Sequence, residues 1–299
     1  MPGEHDAPLR AQYFVDPICS WSWGNEPHIR KFLTEYGPHV HLRHRMGGLM
    51  GRRGAGFFDP QVNLGGEDPS AYATHQAEVC AETGMPFDPA VWSRHPPRSS
   101  HPACIAVKAA QLQDESLGAI YLRRVQEAFF TEAAAVDDRE SLAELAARVP
   151  GLDPARLMAD MDGPAKVAFE EDFELARRPV PEARDTKETE GRMRYAFPTL
   201  ILANAEGERW VIDGGHPYGA YREAAASLAP EVAPAPAPDV GTFLTIWGSA
   251  AAREAAMVCE VPEVQAEMAL EALARDGQAV PRPAGSGTLW VWRPAGVPA

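Results

Sequence analysis

The sequence predicts an α/β domain with a long helical insertion, followed by a small α+β module. Three observations predict it. A strand–helix–strand pattern opens the chain. A two-strand hairpin pattern returns near residue 197, and most of the sequence between has helical character. A Pro/Ala tract then precedes further helices and a second hairpin.

Residues 9–15, Leu-Arg-Ala-Gln-Tyr-Phe-Val, read as the first strand. Pro17 ends it, because proline has no N–H for the ladder. Residues 25–36 carry Ile29, Phe32 and Leu33 at helical spacing, and Gly37-Pro38 stops that helix. Residues 39–46 form a second strand with Val40, Leu42 and Met46 on one face. Cys19 therefore lies where the helix begins. Residues 47–66 hold Gly47, Gly48, Gly54, Gly56, Gly65 and Gly66 and read as a loop covering the site.

From about 68 to 178 the pattern is helical. Residues 102–133 present Ile105, Ala109, Leu112, Ile120 and Val125 for buried faces. Shorter helices follow at 138–148 and 154–161, the latter with Asp153 as N-cap and Pro154 at the first helical position. Segments 197–203 and 208–213 flank the turn Asn204-Ala205-Glu206-Gly207 as a hairpin, and 217–228 is another helix. The first domain thus spans 9–228, with its insertion at about 68–178. Residues 229–239 are a semi-rigid linker. Residues 240–293 are a small module, with Val264, Met268, Leu270 and Leu273 marking an amphipathic helix and strands at 279–283 and 288–292. Helices followed by a hairpin give it a winged-helix-like character.

The chain has 42 acidic against 28 basic residues, a net charge of −14. Nucleic acids and anionic membranes need clustered positive charge, so neither is an expected partner. No apolar run reaches the roughly 20 residues of a membrane helix. The polar, acidic start Met-Pro-Gly-Glu-His-Asp lacks the pattern of a secretory signal, so a cytoplasmic setting is expected.

Cys19, Cys80, Cys104 and Cys259 are widely spaced, with no C-x-x-C pair, so no zinc site and no disulfide framework is expected. His39, His41 and His44 do not form a metal site, since alternation in a strand sends His44 to the opposite face. A cysteine at a helix N-terminus meets unpaired amides and the positive end of the helix dipole, which favour the thiolate. That makes Cys19 the candidate nucleophile. Ser22, one turn on, is placed to hydrogen-bond it, and Trp21 and Trp23 to shield or present it. Asp16 is a candidate to tune it, and Gly47-Gly48, His101 and Gly214-Gly215-His216 are candidates to border the cleft.

Four segments carry a family resemblance: YFVDPICSWSWG at 13–24, RMGGLM at 45–50, HPACIAVKAAQLQ at 101–113 and FPTLIL at 197–202. Together with the element order they resemble the DsbA-like thioredoxin superfamily over roughly 9–228. The match is nearest to its cytosolic branch with D-P-x-C-x-W-C-W-G, which holds FrnE-like oxidoreductases and SpxH/YjbH-like adaptors. The resemblance implies a thioredoxin fold and a cis Pro198 beside the sulfur. It also implies that backbone groups of Phe197 are free to pair with an extended substrate. Here Ser22 replaces the usual second cysteine, so the motif is C-x-x-S.

Three functions follow. The first is a monothiol thiol–disulfide oxidoreductase, with Cys19 and Ser22 at its centre and Trp21, Trp23, Phe197 and Pro198 contacting substrate. The second is an SpxH-like adaptor that presents a regulatory protein to a protease. The third is a glutathione-dependent isomerase or transferase. No cofactor is required; a protein thiol or glutathione is the expected thiol partner, and Cys80, Cys104 and Cys259 are candidate resolving thiols.

Overall fold

The computed structural model describes residues 7–51, 69–189 and 191–294. Strand β1 (Leu9–Val15) leads through Cys19 into α1 (Ser20–Gly24) and α2 (Glu26–Tyr36), and the chain returns as β2 (Val40–Met46). β1 and β2 are parallel, Leu9 opposite Val40 and Val15 opposite Met46, as a helical crossover requires. Leu9, Ala11, Tyr13, Val40, Leu42 and Met46 share the main core, so the alternation sets the register.

Among the described residues seven helices follow: α3 (Pro69–Thr83), α4 (Ala90–Arg94), α5 (His101–Gln111), α6 (Glu115–Glu132), α7 (Arg139–Ala147), α8 (Pro154–Asp160) and α9 (Pro164–Ala176). Aspartate N-caps start three of them. Asp114 accepts from the Ser116 amide, Asp138 from Ser141, and Asp153 from Ala155 and Arg156. The cap at Asp114 also breaks the stretch 102–133 in two, which resets the helical phase. Ala109 and Val125 are buried as expected, but Leu112 and Ile120 are exposed. The buried stripe of α6 is instead Tyr121, Leu122, Val125 and Phe129. Of the expected covering loop, residues 52–68 lie outside the described residues.

A hairpin absent from the sequence reading comes next, β3 (Thr186–Thr189) with β4 (Arg192–Tyr195). Then β5 (Thr199–Ala203) and β6 (Arg209–Asp213) pair antiparallel, and α10 (Tyr218–Leu228) packs behind them. β5 starts at Thr199 rather than at 197, after the cis Phe197–Pro198 peptide. The central sheet has the order β2-β1-β5-β6, with only β1–β2 parallel. The main core joins one sheet face to Ile29, Phe32, Tyr221 and the helical insertion. Phe14 and Ile201, of opposite parity, belong to a smaller cluster with Cys19, Tyr195 and Phe197.

The Pro/Ala segment crosses the end of α2, where the Ala235 amide donates to the Glu35 carbonyl at 2.8 Å. Beyond it run α11 (Val240–Trp247), β7 (Ser249–Ala251), α12 (Ala252–Cys259), α13 (Glu263–Arg275), β8 (Ala279–Ala284) and β9 (Gly287–Trp292), with sheet order β7-β9-β8. This part has its own core, with Phe243, Leu244, Val258, Leu270 and Trp290. In α13 the buried residues are Ala266 and Leu270, with Leu273 partly packed. Val264 and Met268 are exposed, because the inward stripe passes through the small alanines that let α13 approach its neighbours closely.

Buried ions join this module to the first domain. Arg123 of α6 makes a two-pronged bond to Glu254 of α12, at 3.0 Å and 3.0 Å. Arg30 of α2 donates to the Ser249 carbonyl at 2.6 Å and pairs with Glu254 at 3.2 Å. Glu26 and Glu127 complete the cluster around Arg123. Such groups are tolerated out of water only when paired this completely.

Candidate functional site

Cys19 is the N-cap of α1. Its amide donates to the Asp16 carbonyl at 3.1 Å, and its own carbonyl accepts from Trp23 at 3.0 Å. Asp16 fixes the approach from below. Oδ1 accepts from the Ile18 amide (3.0 Å). Oδ2 accepts from the Leu49 amide (2.6 Å), the Ser100 hydroxyl (2.8 Å) and the Cys104 thiol (3.5 Å). One buried carboxylate thereby ties the Cys19 segment to the loop after β2 and to α5.

The Cys19 thiol donates to the Phe197 carbonyl at 3.6 Å and is 6% exposed. Phe197–Pro198 is cis, and the Pro198 carbonyl accepts from the Gly214 amide at 2.9 Å. The sulfur thus lies beside the cis-proline turn, as the resemblance implies. Its ionisation differs from the expectation. Burial raises the Cys19 pKa, and the Asp16 charge adds to this. Hydrogen bonds from the Ser22 side chain and amide and the Arg194 charge pull the other way without prevailing. A helix of only five residues offers few aligned peptides against that desolvation. The carbonyl of Phe197, expected to be free for a substrate, is occupied by the thiol.

A cavity of about 400 Å³ opens over this sulfur. Cys19, Trp21, Met50, Tyr72, Trp92 and Phe197 supply much of its wall, and Gln76, Asp185, Lys187 and Arg194 add polar groups. Gly214 and Gly215 reach it as expected. Trp23, expected beside substrate, is not on this wall. It is fully buried, its Nε1 donates to the Pro86 carbonyl at 2.9 Å, and its ring stacks on Phe130. Ser22 is also fully buried, and its Oγ accepts from the Asp16 amide at 3.5 Å.

Gly47 and Gly48 permit a close approach, but to protein rather than to ligand. A Cβ at Gly47 would lie 2.1 Å from the Phe197 ring, and Gly48 has φ +61°. Arg177 donates to both carbonyls, at 2.9 Å and 3.1 Å. His101 packs against the rings of Phe169 and Phe173 and does not line the cavity. No group of three or more metal-ligating side chains occurs among the described residues. Cys80, Cys104 and Cys259 are buried free thiols.

Sequence reasoning missed Lys187 and Arg194, which come from the β3–β4 hairpin. It also missed Tyr72, Gln76 and Trp92 from the insertion. Only the apolar stripe of α3 could have pointed to Gln76, and nothing local pointed to the others.

A thiol capping the first helix after β1, beside a cis proline that opens β5, defines a thioredoxin-type site. The family model for thioredoxin matches residues 13–180, more than half of the chain, and the chain belongs to that family. Along most of its length the chain is also similar to SpxH proteins. It is 27% identical over 282 residues to the ClpXP adapter protein SpxH of Bacillus subtilis, covering 91% of this chain and 86% of that protein. The SpxH of Shouchella clausii is 25% identical over 295 residues, covering 95% of this chain and 89% of the relative. Among solved structures, the cytosolic disulfide reductase DsbM of Pseudomonas aeruginosa matches with a TM-score of 0.54 and 24% identity, covering 73% of this chain and 98% of its own. That likeness shows the fold. The SpxH matches are longer and take in the C-terminal module as well. No helix among the described residues is long and apolar enough to cross a membrane.

Proposed function

We propose that this protein is an adaptor of the SpxH kind, which binds a regulatory protein and presents it to the ClpXP protease. The observation that carries this is the chain-long similarity to proteins named ClpXP adapters, extending through the C-terminal module. The site supports it. The thiol is nearly buried and its pKa is raised by that burial, and Ser22 removes the partner cysteine that a dithiol oxidase needs. The cavity above it is then a recognition surface. Its aromatic walls and few polar groups suit a side chain or short segment of a partner. A cytoplasmic setting accompanies this reading.

The test is degradation of an Spx-type regulator by purified ClpXP with and without the chain. Acceleration by the chain that is retained in Cys19→Ala is the expected result. No acceleration by the unmodified chain would overturn the adaptor reading.

A second reading, monothiol exchange with a protein thiol or glutathione, is favoured by one observation: Cys19 forms part of the cavity wall beside Pro198. It requires that Cys19→Ala abolish turnover of a mixed disulfide.

A further inference from the structure

The chain lacks a second cysteine at position 22, and the helical insertion brings one to the same helix from another direction. Gln76, Val79, Cys80 and Thr83 run along one side of α3, at the spacing that stacks residues on a single helix face. Both ends of this stripe touch the Cys19 segment. Gln76 Nε2 donates to the Ile18 carbonyl at 2.8 Å. At the other end, a Cβ on Gly24 would fall 2.5 Å from Thr83 Cγ2. α3 therefore lies alongside residues 18–24, with Cys80 midway on the contacting side. A disulfide needs Cα atoms within about 7 Å, and the Gly24–Thr83 contact shows the two backbones approaching closely at one end of this seam. Cys80 is 1% exposed, and the charge of Cys19 is one of the two causes that push its thiol up, after burial. The other cysteines are placed differently. Cys104 donates to Asp16, and Cys259 belongs to the C-terminal core.

We propose that Cys80 is the resolving thiol of Cys19, so that a low-molecular-weight disulfide converts the pair into an internal Cys19–Cys80 bond joining α1 to α3. The Cys19 thiolate attacks one sulfur of RSSR. That S–S bond breaks, and one RS⁻ leaves and takes up a proton as RSH. Cys80 gives its proton to water, and its thiolate attacks Cys19 Sγ. The mixed disulfide breaks and the second RSH leaves. Two cysteine thiols lose two electrons in all, and one RSSR becomes two RSH. The incoming disulfide reaches Cys19 from the cavity, and Cys80 reaches it from the α3 side. Burial raises both thiol pKa values, so the reaction is slow at neutral pH. The chemistry does not depend on the adaptor reading. If that reading holds, the α1–α3 seam beneath the recognition cavity becomes oxidant-dependent.

The test uses the full reduced chain, incubated with oxidised glutathione at mildly alkaline pH, blocked with N-ethylmaleimide and mapped by mass spectrometry without reduction. A Cys19 peptide cross-linked to a Cys80 peptide is the expected main product. Cys80→Ala should leave Cys19 as a long-lived glutathione adduct, several-fold more abundant than in the unmodified chain. Cys104→Ala should still cross-link. A persistent Cys19 adduct in the unmodified chain, a Cys19 cross-link to Cys104 or Cys259, or no modification of Cys19 would each overturn the proposal. Should Cys80→Ala fail to fold, the map of the unmodified chain decides alone. ClpXP assays under reducing conditions are untouched by any of these outcomes.

Discussion

The Cys19 thiol and the Phe197 carbonyl hold each other at 3.6 Å, which closes the site from within. The seal depends on where the Phe197 ring sits, and Gly47 leaves the space for it. Gly47→Ala would put a methyl group 2.1 Å from that ring, so the ring must move. A destabilisation of about 1–3 kcal/mol is expected from overpacking. Iodoacetamide should label Cys19 several-fold faster in the variant than in the unmodified chain. Equal labelling rates would show that Phe197 does not guard the thiol.

The two tryptophans of the Cys19 segment should separate cleanly. Trp23→Ala removes a fully buried ring stacked on Phe130 and is expected to cost about 3–5 kcal/mol in urea unfolding. Trp21→Ala opens the cavity wall and should leave the unfolding midpoint nearly unchanged while weakening partner capture.

Glu254→Gln should loosen the C-terminal module. The carboxylate faces Arg123 and Arg30 out of contact with water, and its loss leaves two guanidiniums short of countercharge. Breaking one partner of such a cluster costs about 3–5 kcal/mol. Limited proteolysis should then cut within 229–239 before the first domain is attacked.

His44 should make the protein acid-sensitive. Burial, with the nearby Lys108 charge, lowers its pKa from 6.5 to about 4. The folded state therefore binds this proton less readily than the unfolded chain. The stability it contributes is present above pH 6.5 and is lost as pH falls towards 4. Melting temperatures across that interval should fall less steeply in His44→Phe than in the unmodified chain.

The opposite sign applies to Cys80. Burial, aided by the Cys19 charge, raises its pKa from 9.0 to about 12. The folded state keeps the proton that the unfolded chain loses, so this contribution is present below pH 9.0 and fades as pH rises towards 12. The alkaline fall in melting temperature should be shallower in Cys80→Ala.

Much of the frame was legible because short-range chemistry specifies it. Alternation in β1 and β2, Pro17, the stop at Gly37-Pro38 and the aspartate caps act within a few residues of themselves. Helix phase was less legible. Leu112 and Ile120 look like core residues until the Asp114 cap ends one helix and begins the next in a new phase. The β3–β4 hairpin, Thr-Lys-Glu-Thr facing Arg-Met-Arg-Tyr, has no apolar alternation to announce it. Arg194 and Lys187 were invisible as cavity groups for the same reason. Trp23 was misjudged through its closeness in sequence to Cys19. It follows Trp21 by two positions, about half a helical turn, and so points the other way. Cys80 is brought to the Cys19 segment only by the packing of α3 on α1, which no local signal encodes.

The ionic seam between Arg123 and Glu254 also bears on how the molecule can be dissected. The proline tract looks like a natural place to sever it, yet a truncation there would strip Glu254 from two arginines and remove Ala251 and Leu289 from the main core. The severed N-terminal part would carry exposed apolar surface and the exposed ions of Arg30, Arg123, Glu26 and Glu127 on α2 and α6. α6 also holds Phe130 beneath Trp23, so damage at that surface lies one helix away from the cysteine.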